Sequence, residues 1–280
     1  MTTDFQTARV ALGVRLRELR TESGLTGKDL AEKLGWQRSK VSRVENGKQT
    51  PSVTDVHAWA DGVGRPELAG ELKGRLAALE TKYRSWRRQL SAGYQARQER
   101  AITETSATRM IRGVEVTRIP GMFQTAEYAR HGFAASAEFR RITTDIEGAV
   151  RTRIRRQEAL YTPGKLFRFL VWEGALYARA CPAGVHAAQL DRLVSLIGLD
   201  TVELGVVPFD AQLRRIPAHA FWIYDQRLVI VETINTEMWL DDEESIQLYE
   251  RSWDWLAESA VSGRQAQRLI TRARGFLGEI

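Results

Sequence analysis

A chain of 280 residues, 43% hydrophobic and 27% charged, is long enough for one large globular domain or two ordinary ones and too apolar for disorder. Its single cysteine, Cys181, excludes an internal disulfide, and with four scattered histidines it leads us to expect no metal and no cofactor. No run approaches the ~18 apolar residues of a membrane span, and the first residues lack a secretory pattern, so a cytoplasmic protein with no membrane partner is expected. The net charge of +6 is unevenly spread: residues 1–100 hold 19 Lys and Arg against 12 Asp and Glu, the remainder 22 against 23. A basic first third beside a neutral remainder suggests a polyanion partner for the first part and a different task for the second.

In chain order, Leu12, Leu16 and Leu19 share one face of a helix over 7–23, which Gly24 closes. Thr26 is a good N-cap, with Asp29 three residues on, for a short helix that turns Leu30, Ala31 and Leu34 inward and stops at Gly35. A third helix runs from Gln37 to Asn46, with Val41 and Val44 inside and Gly47 as its stop. Pro51-Ser52 opens a fourth, with Val53, Val56, Trp59 and Val63 inside, and Leu68, Leu72, Leu76 and Leu79 form the stripe of a fifth. Two short helices joined by a glycine turn make a helix-turn-helix.

Residues 9–65, from Leu16-Arg17-Glu18-Leu19-Arg20 through Ser39-Lys40-Val41-Ser42-Arg43-Val44-Glu45-Asn46-Gly47 to Pro51-Ser52, resemble the Cro/repressor, or xenobiotic-response-element, family of DNA-binding proteins. In such a fold the third helix lies in the major groove of double-stranded DNA. With Val41 and Val44 turned inward, Arg38, Ser39, Lys40, Ser42 and Arg43 remain outward. Arg38 and Arg43 can each fork onto guanine O6 and N7, or bind phosphate only. Gln37, at the helix entry, can cap it or reach a base or phosphate, while Thr26, Lys28 and Lys48 are backbone-contact candidates. The resemblance further implies that Arg20 and Glu45 form a partly buried pair tying the first helix to the third; the alternative is an exposed Glu45. Where the family often carries Gln beside the capping residue this chain has Gly27, so no side chain there orients the base-reading residues, and only backbone amides are left to bind phosphate.

Residues 82–100 read as a helix with Arg84, Arg87 and Arg88 on one face, either solvated or a second DNA contact, and Ser91-Ala92-Gly93 is the best bend or boundary. Beyond residue 100 the periods mix. Strands are expected over Ile111–Ile119, Lys165–Trp172, Val202–Val207, Ala220–Tyr224 and Leu228–Glu232. Helices are expected over Gln124–Phe133, Asp145–Tyr161 (with Ile146, Val150, Ile154 and Leu160 inward), His186–Leu199, Ser245–Leu256 and Arg264–Phe276. The fold class is thus mainly α with α+β: a five-helix repressor-like domain at 1–80, a connecting helix or linker at 81–105, and an α+β regulatory, dimerisation and partner-binding domain at 106–280.

Three segments, Ile119-Pro120-Gly121-Met122-Phe123-Gln124-Thr125-Ala126-Glu127-Tyr128-Ala129, Arg153 with Arg156-Gln157-Glu158-Ala159-Leu160, and Gln189-Leu190 with Val206-Val207-Pro208-Phe209, resemble the C-terminal domain of a large actinobacterial regulator family. Its members pair a repressor-type head with an antitoxin-like domain and include WhiJ-type developmental regulators. The resemblance spans about residues 100–275 and implies a small companion protein, though no site is carried over from it. No catalytic or nucleotide-binding motif is present, so no enzyme is expected. Glu173 and Glu158 could pair as carboxylates, but a salt bridge from Glu173 to Arg151, Arg153, Arg155 or Arg156 is the simpler role. Asp241-Asp242-Glu243-Glu244 suits a helix start. Trp172, Phe221, Trp222 and Trp239 could line an effector pocket or an interface, or fill the core; Trp253 and Trp255 are further candidate anchors for a protein partner. The chain therefore reads as a dimeric transcriptional regulator of palindromic operators, most simply a repressor, whose second part receives a signal. The rivals are an antitoxin-like binder of a small companion protein and a ligand-sensing regulator.

Overall fold

A computed structural model describes the backbone of residues 4–85, 90 and 93–277, and the side chains of 8–77, 90 and 93–277. Arg84, Arg87 and Arg88, read above as one helical face, and Ser91-Ala92 of the expected bend lie outside the described side chains. The chain divides into two compact units, Met1–Arg84 and Ser85–Ile280. The described part of the first is helical up to Lys82, and the second mixes helices with a sheet.

The first unit holds α1 (Asp4–Glu22), α2 (Gly27–Leu34), α3 (Arg38–Glu45), α4 (Val53–Gly62) and α5 (Ala69–Lys82). Leu12, Leu16 and Leu19 of α1 meet Leu30, Val41, Val44, Val56, Trp59, Leu72 and Leu76 in one core. The buried Trp59 indole N–H donates to the Leu16 carbonyl at 3.1 Å, so the one polar atom of this large side chain is satisfied inside. Thr26 and Ser52 each close a capping box, with Asp29 and Asp55, which fixes where α2 and α4 begin. Gly35 ends α2 at φ 65°, a left-handed geometry that glycine adopts without strain. Val53, expected inside, is 36% exposed because it occupies the first position of α4, facing away from the core stripe. The side chain of Leu79 lies outside the described residues.

A short strand, β1 (Tyr83–Ser85), falls at the division between the units. The second unit then runs α6 (Gly93–Ala107), β2 (Met110–Glu115), α7 (Ala126–Arg140), α8 (Ile146–Arg156), β3 (Leu166–Trp172), α9 (Glu173–Tyr177), α10 (Ala183–Leu196), β4 (Val202–Val207), β5 (Phe221–Tyr224), β6 (Leu228–Glu232), β7 (Thr236–Leu240), α11 (Glu243–Ala257), β8 (Val261–Ser262) and α12 (Gly263–Phe276). Its strands lie in the order β7-β6-β5-β2-β3-β4-β8. β2, β3 and β4 are parallel, while β5, β6 and β7 form an antiparallel meander and β8 pairs antiparallel with β4.

Alternation along the strands builds a core on each face of the sheet. One face packs Phe167, Phe169, Val171, Leu204, Val206 and Ile230 against α10 and α12; the other packs Val114, Leu170, Phe221, Ile223 and Val229 against Trp253 and Leu256 of α11. A smaller cluster of Tyr94, Ala129, Phe133, Ala149 and Val150 joins α6, α7 and α8.

Further expectations need correction, among them the strand read over Ile111–Ile119, which ends at Glu115. The helix read over Asp145–Tyr161 ends at Arg156 and passes into a 3-10 turn, Gln157–Tyr161. Ile154 points outward, because the buried stripe of α8 runs through Ala149, Thr152 and Arg156 instead. The strand β7 was not expected, since its second residue is the fully buried Glu237, which breaks the apolar pattern.

Candidate nucleic-acid interface

The seat of α3 is set by backbone proximity. A Cβ on Gly13 of α1 would lie 2.6 Å from the Val44 carbonyl oxygen and 2.7 Å from that of Glu45, so only glycine lets α1 and α3 come this close. Gly47, beyond α3, has φ 61°, and a Cβ there would meet the Val10 backbone at 2.9 Å. Glu45 is buried at the end of α3, and its carboxylate accepts from Arg20 at both oxygens, Nε at 2.5 Å and Nη2 at 3.2 Å. The third nitrogen, Nη1, donates to the Leu25 carbonyl at 2.7 Å, so one guanidinium ties α1, the turn before α2 and α3 together. Arg17, one turn earlier on α1, adds a 3.5 Å ion pair to Glu45 and donates to Asn46 Oδ1 at 2.5 Å.

Val41 and Val44 face the core, leaving Arg38, Ser39, Ser42 and Arg43 exposed on the opposite side of α3. The side chains of Arg38 and Lys48 are exposed and make no hydrogen bond or ion pair among the described residues. Arg43 Nε donates to Gln49 Oε1 at 3.0 Å, and the Ser42 hydroxyl accepts from Asn46 at 3.3 Å. Ser39 and Gln37 are in contact at 3.5 Å at the helix entry. The Thr26 hydroxyl caps α2 by accepting from the Asp29 N–H at 3.2 Å, and exposed Lys28 lies 3.7 Å from Glu32.

Lys40, expected to point outward with the other DNA-contact candidates of α3, is half-buried instead. Its ammonium donates to Asp55 Oδ1 at 2.6 Å and lies 3.8 Å from the centre of the Trp36 ring. The side chain therefore braces α3 against the start of α4. Burial would raise the Asp55 pKa, but the bonds from Lys40 and Ser52 outweigh it and hold the carboxyl below its ordinary value. Arg17, Asn46 and Gln49 are the neighbours of this face that sequence reasoning missed; Arg17 could have been found, being three residues before Arg20 on the same helix face.

In the second unit the four aromatic candidates do not converge. Trp172 and Phe221 belong to the α11 side of the sheet, Trp222 and Trp239 to the α10–α12 side. Phe221 and Trp222 are adjacent in one strand, and adjacent strand residues face opposite ways. Trp253 is buried in the core, and Trp255 is covered by the Arg214 guanidinium at 4.4 Å. An open groove lined by Arg109, Tyr161, Lys165, Asp200, Asp225 and Arg227 contains none of the four. Glu173 is fully buried and pairs with Arg272 of α12 while accepting from the Phe209 N–H at 2.8 Å, so its arginine partner is none of those proposed from the α8 region. Asp242 caps α11 through the Ser245 N–H at 3.0 Å. Among the described residues no group of three or more His, Cys, Asp and Glu could hold a metal ion, and no helix is long and apolar enough to cross a membrane.

The turn between α2 and α3 and the exposed side of α3 define a helix-turn-helix protein, and a helix-turn-helix domain model matches residues 11–71. The chain belongs to the family described as a domain of unknown function, DUF5753, whose model matches residues 98–272. An uncharacterized HTH-type transcriptional regulator of Methanothermobacter thermautotrophicus is 38% identical over 53 residues, 19% of this chain and 77% of that protein. Among solved structures, TrmBL2, an archaeal chromatin protein reported to show a novel mode of DNA binding, aligns at TM-score 0.30 and 13% identity over 75% of this chain and 69% of that one.

Proposed function

We propose that the protein is a cytoplasmic, sequence-specific DNA-binding transcriptional regulator, with α3 entering the major groove. The observation that carries this reading is the exposed side of α3, where Arg38 has its full set of donors unspent and Ser39, Ser42 and Arg43 stand beside it. Arg38 and Arg43 are the candidate readers of guanine edges. Lys28 and Lys48 are candidate phosphate contacts, as are the N–H groups at the start of α2, where Gly27 leaves the backbone open. A single small head buries too little surface for a specific site, so two copies on a palindrome are the economical arrangement, and occupancy of a promoter by such a dimer represses it. The second unit then serves dimerisation and reception of a signal, with no catalytic role. Selection of bound sequences from a random duplex library tests the reading: a recovered palindromic motif supports it, and an unenriched pool overturns it.

The exposed Phe209, Ile216 and Phe276 favour a second reading in which the second unit also holds a small companion protein. Of the tryptophans proposed as anchors, Trp222, Trp239 and Trp253 do not support it, since they pack in or against the cores, and Trp255 is covered by Arg214.

A further inference from the structure

Most buried or half-buried arginines of the second unit that meet a charge meet a carboxylate. Arg97 pairs with Glu237, Arg112 with Glu250 and Arg168 with Glu203. Two neighbours on α8 do not. Arg153 and Arg156 lie one turn apart, and neither has a carboxylate within ion-pair distance among the described residues. Their partners are neutral: Arg153 donates to Gln98 Oε1 at 3.2 Å and Gln124 Oε1 at 2.7 Å, and Arg156 to Thr105 Oγ1 at 2.8 Å and Tyr224 Oη at 3.4 Å. Each guanidinium is also covered by a ring, Arg153 by Phe133 at 4.2 Å and Arg156 by Trp222 at 5.1 Å.

Two adjacent dehydrated cations without counter-charge are costly to a fold, and replacement by apolar residues would relieve that cost. Dehydration and then the neighbouring Arg156 push the Arg153 guanidinium down to about 9. The surroundings supply negative charge only from a distance: half-exposed Glu232 acts on both arginines from beyond ion-pair range and lies 3.9 Å from Arg97. Glu237 is committed to Arg97, although its second oxygen and Arg97 Nε are buried without partners. Glu115 is bonded by the Trp222 indole N–H at 2.8 Å and is pushed up to about 7 by burial. Arg156 is 9% exposed, whereas Arg153 is only half-buried and so faces an opening to solvent, with exposed Arg118 among the charges that act on it.

We infer that Arg153 and Arg156 form a receptor for the oxyanion head of a small ligand, a phosphate or a carboxylate, entering past Arg153. A planar guanidinium fork matches either group in two parallel hydrogen bonds, and the ring faces beside both arginines are already occupied by the guanidinium planes. The amides of Gln98 and Gln124 hold Arg153 in place, and Thr105 and Tyr224 hold Arg156, so the donors are oriented before the anion arrives. Bound anion would tie α8 to α6, to β5 and to the segment before α7 that carries Gln124, where those partners come from. The proposal deepens the reading of the second unit as the receiver of a signal and rests on it.

The test uses the full chain without DNA, so its failure leaves DNA recognition untouched and the reverse also holds. Inorganic phosphate and glutarate are titrated separately against the protein at ionic strength held constant with sodium chloride, followed by thermal melting and calorimetry. The expected result is a saturable rise in melting temperature with one of the two anions, which also tells phosphate from carboxylate chemistry. Arg153→Gln should abolish that rise, and Arg153→Lys, which keeps charge but loses the fork, should weaken binding about tenfold; circular dichroism confirms that each variant is folded. Arg153 sits at the opening, and Arg118→Gln, outside the packed region, should weaken binding a few-fold without touching the fold. No saturable shift with either anion, or unchanged affinity in folded Arg153→Gln, overturns the proposal.

Discussion

Glu45 and Arg20 meet through two parallel hydrogen bonds, with the carboxylate 6% exposed and the guanidinium side chain 14% exposed. Glu45 thus does not read DNA; it locks the end of α3 to α1. Glu45→Ala leaves Arg20 with its Leu25 carbonyl contact and no counter-charge. Breaking a buried pair costs about 3–5 kcal/mol, and the water that reaches Arg20 places this one near the lower end, about 3 kcal/mol. Thermal melting of the variant should show that loss, with DNA affinity falling in parallel. An unchanged melting temperature would mean that the pair contributes only geometry.

Arg38 and Arg43 should behave differently from Lys48. Arg38→Ala or Arg43→Ala is expected to weaken the selected operator by about 1–3 kcal/mol and to relax preference at one base pair per half-site. Lys48→Ala should weaken all duplexes alike and reduce the salt dependence by about one unit. Lys40→Ala, in contrast, should act mainly on stability, since its ammonium is spent on Asp55. Fluorescence anisotropy over a salt series separates the three behaviours, and equal losses on operator and random DNA for Arg38→Ala would exclude a base contact there.

Gly13→Ala places a methyl group 2.6 Å from the Val44 carbonyl, a backbone atom that cannot swing aside. Overpacking of this kind costs about 1–3 kcal/mol. Because the strain falls on the α1–α3 contact, operator affinity should drop more than the melting temperature alone accounts for. Gly70→Ala, where an added methyl in α5 meets nothing, is the control: it should raise stability by up to about 1 kcal/mol and leave operator affinity unchanged.

Glu115 gives the second unit a pH dependence of unusual sign for a carboxylate. Burial raises its pKa from 4.5 to about 7, so the folded state holds the proton more tightly than the unfolded chain. Its stabilising contribution is complete below about pH 4.5 and is lost as pH rises towards 7, a change of about 3 kcal/mol at 1.36 kcal/mol per unit. Melting temperature measured from pH 4.5 to 8 should therefore fall more steeply in the native protein than in Glu115→Gln. Parallel curves would show that Glu115 titrates normally.

The first unit was legible because its signals are local. Leucines at helical spacing, capping threonine and serine, and glycine stops each act within a few residues, and all of them point the same way. The Arg20–Glu45 pair, 25 residues apart, came from family resemblance and not from any spacing. Lys40 misled because helical period gives direction but not neighbours: Trp36 and Asp55 reach it from outside α3. In the second unit hydrophobicity pointed the wrong way on α8, where Arg156 is buried and Ile154 is exposed. The buried acid in β7 hid that strand for the same reason. Polar interiors are satisfied by partners distant in the chain, such as Arg97 for Glu237 across 140 positions, and no short window contains both.

The glycine contacts beneath α3 separate what holds the helix from what it displays. Its close approach to α1 is set by main-chain atoms from Val10, Gly13, Val44 and Glu45, and none of these involves the side chains at 38, 39, 42 or 43. On the proposed reading, those four positions form an exchangeable key mounted on a fixed handle. Replacing them as a set should retarget the protein to a different duplex sequence while leaving the melting temperature and the chemistry of the second unit unaltered.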